Sequence, residues 1–220
     1  MELNKYFDHT ILKADATEAD IEKLCSEAKT NNFYAVCVNS CYVPLVAILL
    51  AETDVKIAAV VGFPLGAVST QVKAYEAAWA AASGANEIDM VIHIGALKEG
   101  RHDYVRNDIT EVVTSSKEHG SIVKVILETC LLTDEEIVKA CQISLEAGAA
   151  FVKTSTGFSS GGATAHHVSL MEKTVGDKLK VKASGGIRDL NKTMEMIEAG
   201  ADRIGASASV QILQEYEKNK

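Results

Sequence analysis

Short apolar runs rich in valine and isoleucine alternate with longer amphipathic segments along the whole chain. Apolar runs of this length, bounded by turn residues, are typical of buried strands, whereas the segments between them have helical spacing. The predicted strands are residues 5–10, 34–38, 56–61, 87–92, 122–127, 150–153, 180–184 and 203–206. The predicted helices are residues 18–30, 69–82, 103–118, 133–146, 165–174 and 191–199.

Residues at the ends of the predicted helices support this interpretation. Thr17 and Thr133 each precede acidic residues, as N-caps do at the start of a helix. Gly84, Gly148 and Gly200 each stand where a helix should end, and an alanine and a strand follow each of them. One type of helix-to-strand connection therefore recurs along the chain.

Eight strand–helix units in 220 residues predict an α/β fold, a (β/α)8 TIM barrel formed as a single domain over residues 1–220. A doubly wound open sheet is the alternative. No G-x-G-x-x-G motif follows the first strand, and eight repeats close a barrel more naturally than they extend a sheet. In a barrel the functional residues are expected at the carboxyl ends of the strands.

Composition narrows the possible partners and locations. Hydrophobic residues are 47% and charged residues 24%, as in soluble globular proteins. The net charge of -8, without a basic run, argues against nucleic acid and anionic membranes as partners. The N-terminus lacks signal-peptide features, and the longest apolar stretch, residues 43–51, is too short to span a bilayer. Five irregularly spaced cysteines favour a reducing, cytoplasmic location.

Two lysines interrupt consecutive apolar strands. Lys153 and Lys182 each lie near the end of a predicted strand that helices should cover on the outside, so both side chains are expected to point inward. Because neighbouring strands lie about 4.8 Å apart, the two amines should be close together. Two partly desolvated ammonium groups cannot both remain charged, so one should become a neutral nucleophile able to form a Schiff base. The alternative is two solvated lysines at the barrel rim.

Asp89 is a third charge between apolar neighbours, and Lys124 lies on the adjacent predicted strand. Asp89 is either a buried carboxylate neutralised by Lys124 or a group that shuttles protons, and the two roles are compatible. Lys124 is a rival for the Schiff-base lysine. It lies deeper in its strand than Lys153, and no hydroxyl cluster follows it.

The last two strands are followed by loops typical of a phosphate site. Gly185 and Gly186 follow the seventh strand, and Gly205 and Ser207 mark the end of the eighth. Barrels often bind phosphate in these two loops through glycine amides and a helix N-terminus. Arg188 either adds charge to this site or caps a helix.

Four ordered motifs carry a resemblance to a known family. They are residues 87–91 (EIDMV), 124–129 (KVILET), 151–157 (FVKTSTG) and 182–188 (KASGGIR). Together they resemble the deoxyribose-phosphate aldolase family, and the resemblance extends from residues 7–10 (FDHT) to residues 205–207 (GAS). It implies a (β/α)8 class I aldolase that reversibly cleaves 2-deoxy-D-ribose 5-phosphate to D-glyceraldehyde 3-phosphate and acetaldehyde in deoxyribose catabolism, without metal or organic cofactor.

The resemblance also implies roles for individual residues. Lys153 would form the Schiff base with acetaldehyde, Lys182 would lower its pKa and assist proton transfer, and Asp89 would donate and accept protons. The residues expected to hold the sugar phosphate are Thr156, Gly157, Gly185, Gly186, Gly205 and Ser207. The candidate supporting residues are Lys124, Asp8 and Cys37, the last being either a pocket thiol or a buried structural one. The expected partners are the small-molecule sugar phosphate, acetaldehyde and further copies of the chain in a dimer or tetramer.

Three other functions remain open at this stage. Another lysine-dependent aldolase or transaldolase would share the lysine and the phosphate site. A sugar-phosphate-binding barrel without turnover would lack an active amine, and a phosphosugar isomerase would use a carboxylate base without a covalent adduct. The histidines show no metal-ligand spacing, and the pair His166-His167 is interpreted as surface. We therefore expect no metal.

Overall fold

Eight parallel strands form a closed barrel in sequence order in the computed structural model, which describes residues 1–219. The strands are β1 (Phe7–Thr10), β2 (Ala35–Asn39), β3 (Lys56–Val61), β4 (Glu87–Val91), β5 (Ile122–Ile126), β6 (Phe151–Lys153), β7 (Lys180–Ser184) and β8 (Arg203–Ala206). Parallel pairing of β8 with β1 closes the barrel. The predicted (β/α)8 fold is confirmed.

Helices surround the barrel. They are α1 (Glu18–Thr30), α2 (Val43–Leu49), α3 (Thr70–Ala82), α4 (Ile94–Lys98), α5 (His102–Lys117), α6 (Asp134–Glu146), α7 (Ala165–Val175), α8 (Leu190–Glu198) and α9 (Ser209–Lys218). All six predicted helices are present to within one residue at each end, whereas α2, α4 and α9 were not predicted. The first strand was predicted two residues too long, because Leu3–Tyr6 form a 3-10 helix whose Leu3 is buried.

The predicted helix ends are present in the structure. The Thr17 hydroxyl accepts a hydrogen bond from the Asp20 N–H, and the Asp20 carboxylate accepts one from the Thr17 N–H. Thr133 and Glu136 form the same reciprocal pair at the start of α6. Such capping boxes satisfy N–H groups that the first helical turn leaves without partners.

The apolar core lies between the barrel wall and the helices. Alternate strand residues such as Val36, Ile88 and Val152 belong to it and are fully buried. A smaller apolar cluster fills one side of the barrel interior and consists of Leu12, Cys37, Ala58 and Val60. Much of the remaining interior is charged, and these charges position the candidate site. None of the helices in residues 1–219 is long and apolar enough to cross a membrane.

Candidate active site

Strand register brings the two lysines together. Lys153, the last residue of β6, lies opposite Lys182 on β7, and both are buried. The Nζ atoms of Lys153 and Lys182 each donate to Oδ2 of Asp89, in both cases over 2.8 Å. One carboxylate oxygen therefore links the two amines whose proximity the sequence predicts.

Lys124 is held by carboxylates and does not reach the cavity described below. It lies opposite Asp89 in the β4–β5 register, and its Nζ donates to Asp89 Oδ1 over 2.6 Å and lies 2.5 Å from Glu87 Oε2. Burial alone would lower the pKa of Lys124, but Asp89, Glu87 and Asp8 outweigh burial and raise it. Lys124 is thus a charged ammonium and a poor nucleophile.

The pKa values of Lys153 and Lys182 shift in opposite directions. Burial lowers the pKa of Lys153, and the charge of Lys182 lowers it further against the opposing effect of Asp89. Burial also disfavours the charged form of Lys182, but Asp8 and then Asp89 outweigh it, so the pKa of Lys182 is raised. The structure therefore favours a neutral Lys153 beside a charged Lys182. Burial, rather than Lys182, is the larger cause of the lowered pKa.

Arg203, the first residue of β8, adds a further buried cation to these ion pairs, near the amino ends of the strands. Its guanidinium donates to Asp8 Oδ1 over 2.8 Å and to Glu87 over 3.3 Å, and it stacks 3.5 Å from the centre of the Tyr34 ring. Asp8 also accepts a hydrogen bond from Lys182. Neither Glu87 nor Arg203 was predicted as a site residue. Each is the first residue of a strand, where a charge usually faces solvent, and only the register shows that they meet.

The buried charges of the barrel interior balance when Lys153 is neutral. The members of this ion network other than Lys153 are Asp8, Glu87, Asp89, Lys124, Lys182 and Arg203. They comprise three carboxylates and three cations. Because an uncompensated charge is costly in a buried site, the balance favours the uncharged form of Lys153.

A cavity of about 250 Å³ opens above Lys153 at the carboxyl ends of the strands. Every residue predicted to hold the sugar phosphate lines it, namely Thr156, Gly157, Gly185, Gly186, Gly205 and Ser207. The exposed side chains of Arg188 and Lys13 also line it. Thr10, Leu12 and Lys13 also line the cavity and were not predicted, although Thr10 ends β1 and the other two follow it, where the barrel rule places site residues.

Several residues that line this cavity have backbone N–H groups without a protein partner among the described residues. Among the hydrogen bonds of residues 1–219, the N–H groups of Gly157, Gly185, Gly186 and Ser207 have no protein acceptor. Gly185 and Gly186 have φ values of 86° and 75°, in the left-handed region that favours glycine. Helix α9 begins two residues after Ser207 without a side-chain cap. Such a concave set of N–H groups suits an anion.

Thr156 differs from the other predicted substrate-binding residues. It lines the cavity, but its hydroxyl donates to the Glu128 carboxylate and accepts from the Phe158 N–H over 3.0 Å. Its own N–H also donates to Glu128, over 3.3 Å. Glu128 was not predicted as a site residue, even though it lies just beyond the carboxyl end of β5, where the site residues of barrels are found.

Cys37 and the histidine pair lie apart from the cavity wall. Cys37 is fully buried in the small interior cluster, and burial raises the pKa of its thiol, as expected for a structural cysteine. His166 lies on the surface and pairs with Asp134 over 2.7 Å, and His167 is close enough that the three could share a metal ion. The three residues lie at the N-terminal ends of α6 and α7, with Asp134 and His166 exposed and His167 half-buried, and none of them lines the cavity.

The fold and the paired lysines first define a class, a (β/α)8 enzyme that works through a covalent lysine intermediate. The sequence model of the DeoC/LacD family aldolases matches residues 3–215. The chain belongs to this family of aldolases.

Named relatives cover nearly the whole chain. Deoxyribose-phosphate aldolase of Carboxydothermus hydrogenoformans is 60% identical, over 94% of this chain and 92% of its own. Deoxyribose-phosphate aldolase of Finegoldia magna is 59% identical, over 97% of this chain and 100% of its own. A solved structure of deoxyribose phosphate aldolase from Aeropyrum pernix, described as tetrameric, has a TM-score of 0.93 at 33% identity and covers 99% of this chain and 92% of that one.

Proposed function

We propose that the protein is a Schiff-base aldolase that reversibly cleaves 2-deoxy-D-ribose 5-phosphate to D-glyceraldehyde 3-phosphate and acetaldehyde. The observation that carries this proposal is the state of Lys153. Within the described part of the chain, it is the one member of the buried ion network that lines the cavity, and its pKa is lowered. The relatives named deoxyribose-phosphate aldolase support the choice of substrate.

The geometry supports a reaction that begins at the aldehyde carbon of the open-chain sugar. Neutral Lys153 adds to C1, and loss of water from the carbinolamine leaves a protonated imine. A base removes the proton of the C3 hydroxyl, the C2–C3 bond breaks, and its electron pair forms an enamine while glyceraldehyde 3-phosphate leaves. Protonation of the enamine at C2, followed by hydrolysis of the imine, releases acetaldehyde and restores the amine.

Asp89 and Lys182 are our candidates for moving these protons. Asp89 lies within hydrogen-bonding distance of both amines, so it can pass a proton between them without a change of position. Lys182 remains charged beside Lys153 and disfavours a second ammonium there. Lys124 and Asp8 support this pair, because Lys124 donates a hydrogen bond to Asp89 and Asp8 accepts one from Lys182.

The phosphate group is assigned to the N–H groups of Gly157, Gly185, Gly186 and Ser207. At Gly205 the absence of a side chain leaves room for its neighbours. A Cβ there would lie 3.0 Å from the Ser184 side chain and 3.1 Å from that of Lys182. A larger residue at 205 would press on the lysine pair. Arg188 and Lys13 add positive charge at the cavity mouth of an otherwise acidic protein.

Trapping of the imine tests the proposal. Acetaldehyde with borohydride should add an ethyl group to Lys153, as located by peptide mass spectrometry, because reduction makes the imine permanent. Lys153→Ala should abolish both the label and the release of glyceraldehyde 3-phosphate, while EDTA leaves the wild-type rate unchanged. A label on Lys124 instead, or cleavage without any label, would contradict the proposed mechanism. An isomerase or a non-catalytic binding protein would not be labelled.

We also propose that the chain is a single domain over residues 1–220 and that it works as a cytoplasmic homo-oligomer, a dimer or tetramer. The tetrameric structure reported for the Aeropyrum pernix relative supports an oligomer. So do the exposed apolar side chains of Leu65, Val72 and Tyr75. Leu65 and Val72 line one surface cavity, and Tyr75 follows Val72 by three residues on α3, so the three lie near one another, and exposed apolar patches often mark an interface. The five free cysteines fit a reducing compartment.

A further inference from the structure

Glu128 is a buried carboxylate that the proposed reaction does not use. It is 2% exposed and lies two residues after β5, with φ 57° and ψ 61°. A residue other than glycine seldom adopts this left-handed conformation, and where it does, the surrounding structure compensates, often at a functional site. The contacts of Glu128 should therefore show what its conformation serves.

Apart from a 3.9 Å contact from Cys130 Sγ to Oε1, the hydrogen bonds of the Glu128 carboxylate lie on the turn formed by residues 156–158, which we call the 156–158 turn. The Thr156 hydroxyl and the Thr156 N–H both donate to Oε2 of Glu128. The Thr156 hydroxyl in turn accepts from the N–H of Phe158. Glu128 thus fixes the first residue of the turn directly and the third residue through Thr156.

The middle residue of the turn is left free to bind a ligand. With the N–H groups of Thr156 and Phe158 turned toward the protein, Gly157 carries the one N–H of the turn that lacks an acceptor in the described chain. Gly157 lines the cavity in a left-handed conformation, and a Cβ built on it would lie 4.0 Å from Cα of Gly185. The Gly157 amide therefore lies close to the second glycine loop.

We propose that Glu128 is a positioning residue that sets the Gly157 N–H against the phosphate of the substrate. It would act through Thr156 and not on the reacting atoms, and the proposal rests on the proposed function of this site. Its specific consequence is that Glu128 matters for a phosphorylated sugar and not for the same sugar without phosphate.

Glu128→Gln tests this consequence. The amide keeps the size of the side chain but carries no charge, so the bonds that Thr156 donates to the Oε2 position lose their charge-assisted strength. The amide nitrogen at the Oε1 position can no longer accept from the Thr156 N–H or the Cys130 thiol. KM for 2-deoxy-D-ribose 5-phosphate should rise about tenfold with little change in kcat, because displaced binding groups bind less well. The kcat/KM for unphosphorylated 2-deoxy-D-ribose should stay within about twofold of wild type, since no phosphate contact is involved. Glu135→Gln, the same change at an exposed position of α6, is the control and should match wild type on both sugars.

Glu128→Gly separates positioning from folding. Glycine adopts the left-handed φ at position 128 without strain, so thermal unfolding should remain cooperative although the carboxylate is gone. This variant should again lose activity on the phosphorylated sugar only. An equal loss on both sugars, or no loss on either, would overturn the role assigned to Glu128.

Titration with inorganic phosphate distinguishes failure of this inference from failure of the proposed reaction. Glu128→Gln should bind inorganic phosphate more weakly than wild type, whether or not either protein cleaves the sugar. If wild type binds phosphate more tightly than Glu128→Gln but cleaves nothing, the reaction is wrong and the role of Glu128 stands. Equal binding by the two proteins, or no binding by wild type, overturns that role.

Discussion

Two lysines with the same side chain have opposite protonation preferences because their neighbours differ. Lys182 contacts both Asp8 and Asp89, whereas Lys153 contacts Asp89 alone and has Lys182 beside it. Both are buried, so solvation does not separate them. The sequence predicts the pair and Asp89 from charges between apolar neighbours. The raised pKa of Lys182, however, depends on Asp8, which is far away in the sequence and adjacent only in the closed barrel.

Lys182→Leu should shift the acidic limb of the kcat/KM profile to higher pH. In wild type, activity should rise as pH passes upward through the lowered pKa of Lys153, because the neutral amine is the proposed nucleophile. Removal of the neighbouring positive charge raises that pKa, so less Lys153 is neutral at pH 7. Each pKa unit reduces the neutral fraction about tenfold, and activity should recover in part at high pH.

The control for this variant is Lys180→Leu on the same strand. Lys180 is exposed and lines a cavity that does not include Lys153, so its removal should leave the pH profile unchanged. A Lys182→Leu variant with the wild-type acidic limb would refute the assigned role of Lys182.

Among the secondary-structure elements, the long helices with a clear period were predictable from the sequence and the short helices were not. All six predicted helices are present, since long amphipathic segments with caps at their ends are strong local signals. Helices α2 and α4 have seven and five residues, too few for a clear period, and α2 carries Pro44 in its first turn, where proline is tolerated. Loop contacts such as that between Glu128 and Thr156 were not predictable, because they join residues that are close only across adjacent strands.

Close packing between the loop after β6 and the loop after β7 leads to a prediction for Gly162. A Cβ at Gly162 would lie 2.2 Å from the carbonyl oxygen of Gly185, while Ala163 N–H donates to that same oxygen. Gly162→Ala should separate the loops and lower kcat/KM for the sugar phosphate by about tenfold to a hundredfold, since displaced binding groups are costly. Steady-state kinetics measures the effect.

Gly95→Ala is the matched control for this glycine substitution. A Cβ at Gly95 would make ordinary van der Waals contacts, with its closest neighbour 3.7 Å away. Its kinetics should equal those of wild type. If Gly162→Ala also behaved as wild type, close packing of the two loops would not be needed for phosphate binding.

At the scale of the whole molecule, the buried ion network links strands on both sides of the β8–β1 pairing that closes the barrel. Arg203 on β8 contacts Asp8 on β1 and Glu87 on β4, so its interactions cross the barrel interior. The closed fold was predictable from eight repeated units, but these partners were not, because strand order and register decide which charges meet. A buried network is strongly destabilised by loss of one member, since the remaining charges lack compensation.

Arg203→Met should therefore lower the free energy of unfolding by about 3–5 kcal/mol, as measured by urea denaturation. Arg106 offers a control, since it also contacts two carboxylates, at 2.5 Å and 3.5 Å, but its side chain is 42% exposed. Arg106→Met should cost no more than about 1 kcal/mol because solvent screens exposed pairs. Equal losses in the two variants would show that burial of the network does not matter.

The balance of charge inside the barrel also limits how this sequence can change over evolutionary time. A substitution that removes one member leaves an opposite charge without compensation. A paired change, such as loss of an arginine together with an acid, restores neutrality. We therefore expect homologues to vary at positions 8, 87 and 203 jointly and not one at a time. The lowered pKa of Lys153 depends on its surroundings, so a lysine placed in another barrel without comparable burial and a neighbouring cation should be an ordinary protonated lysine.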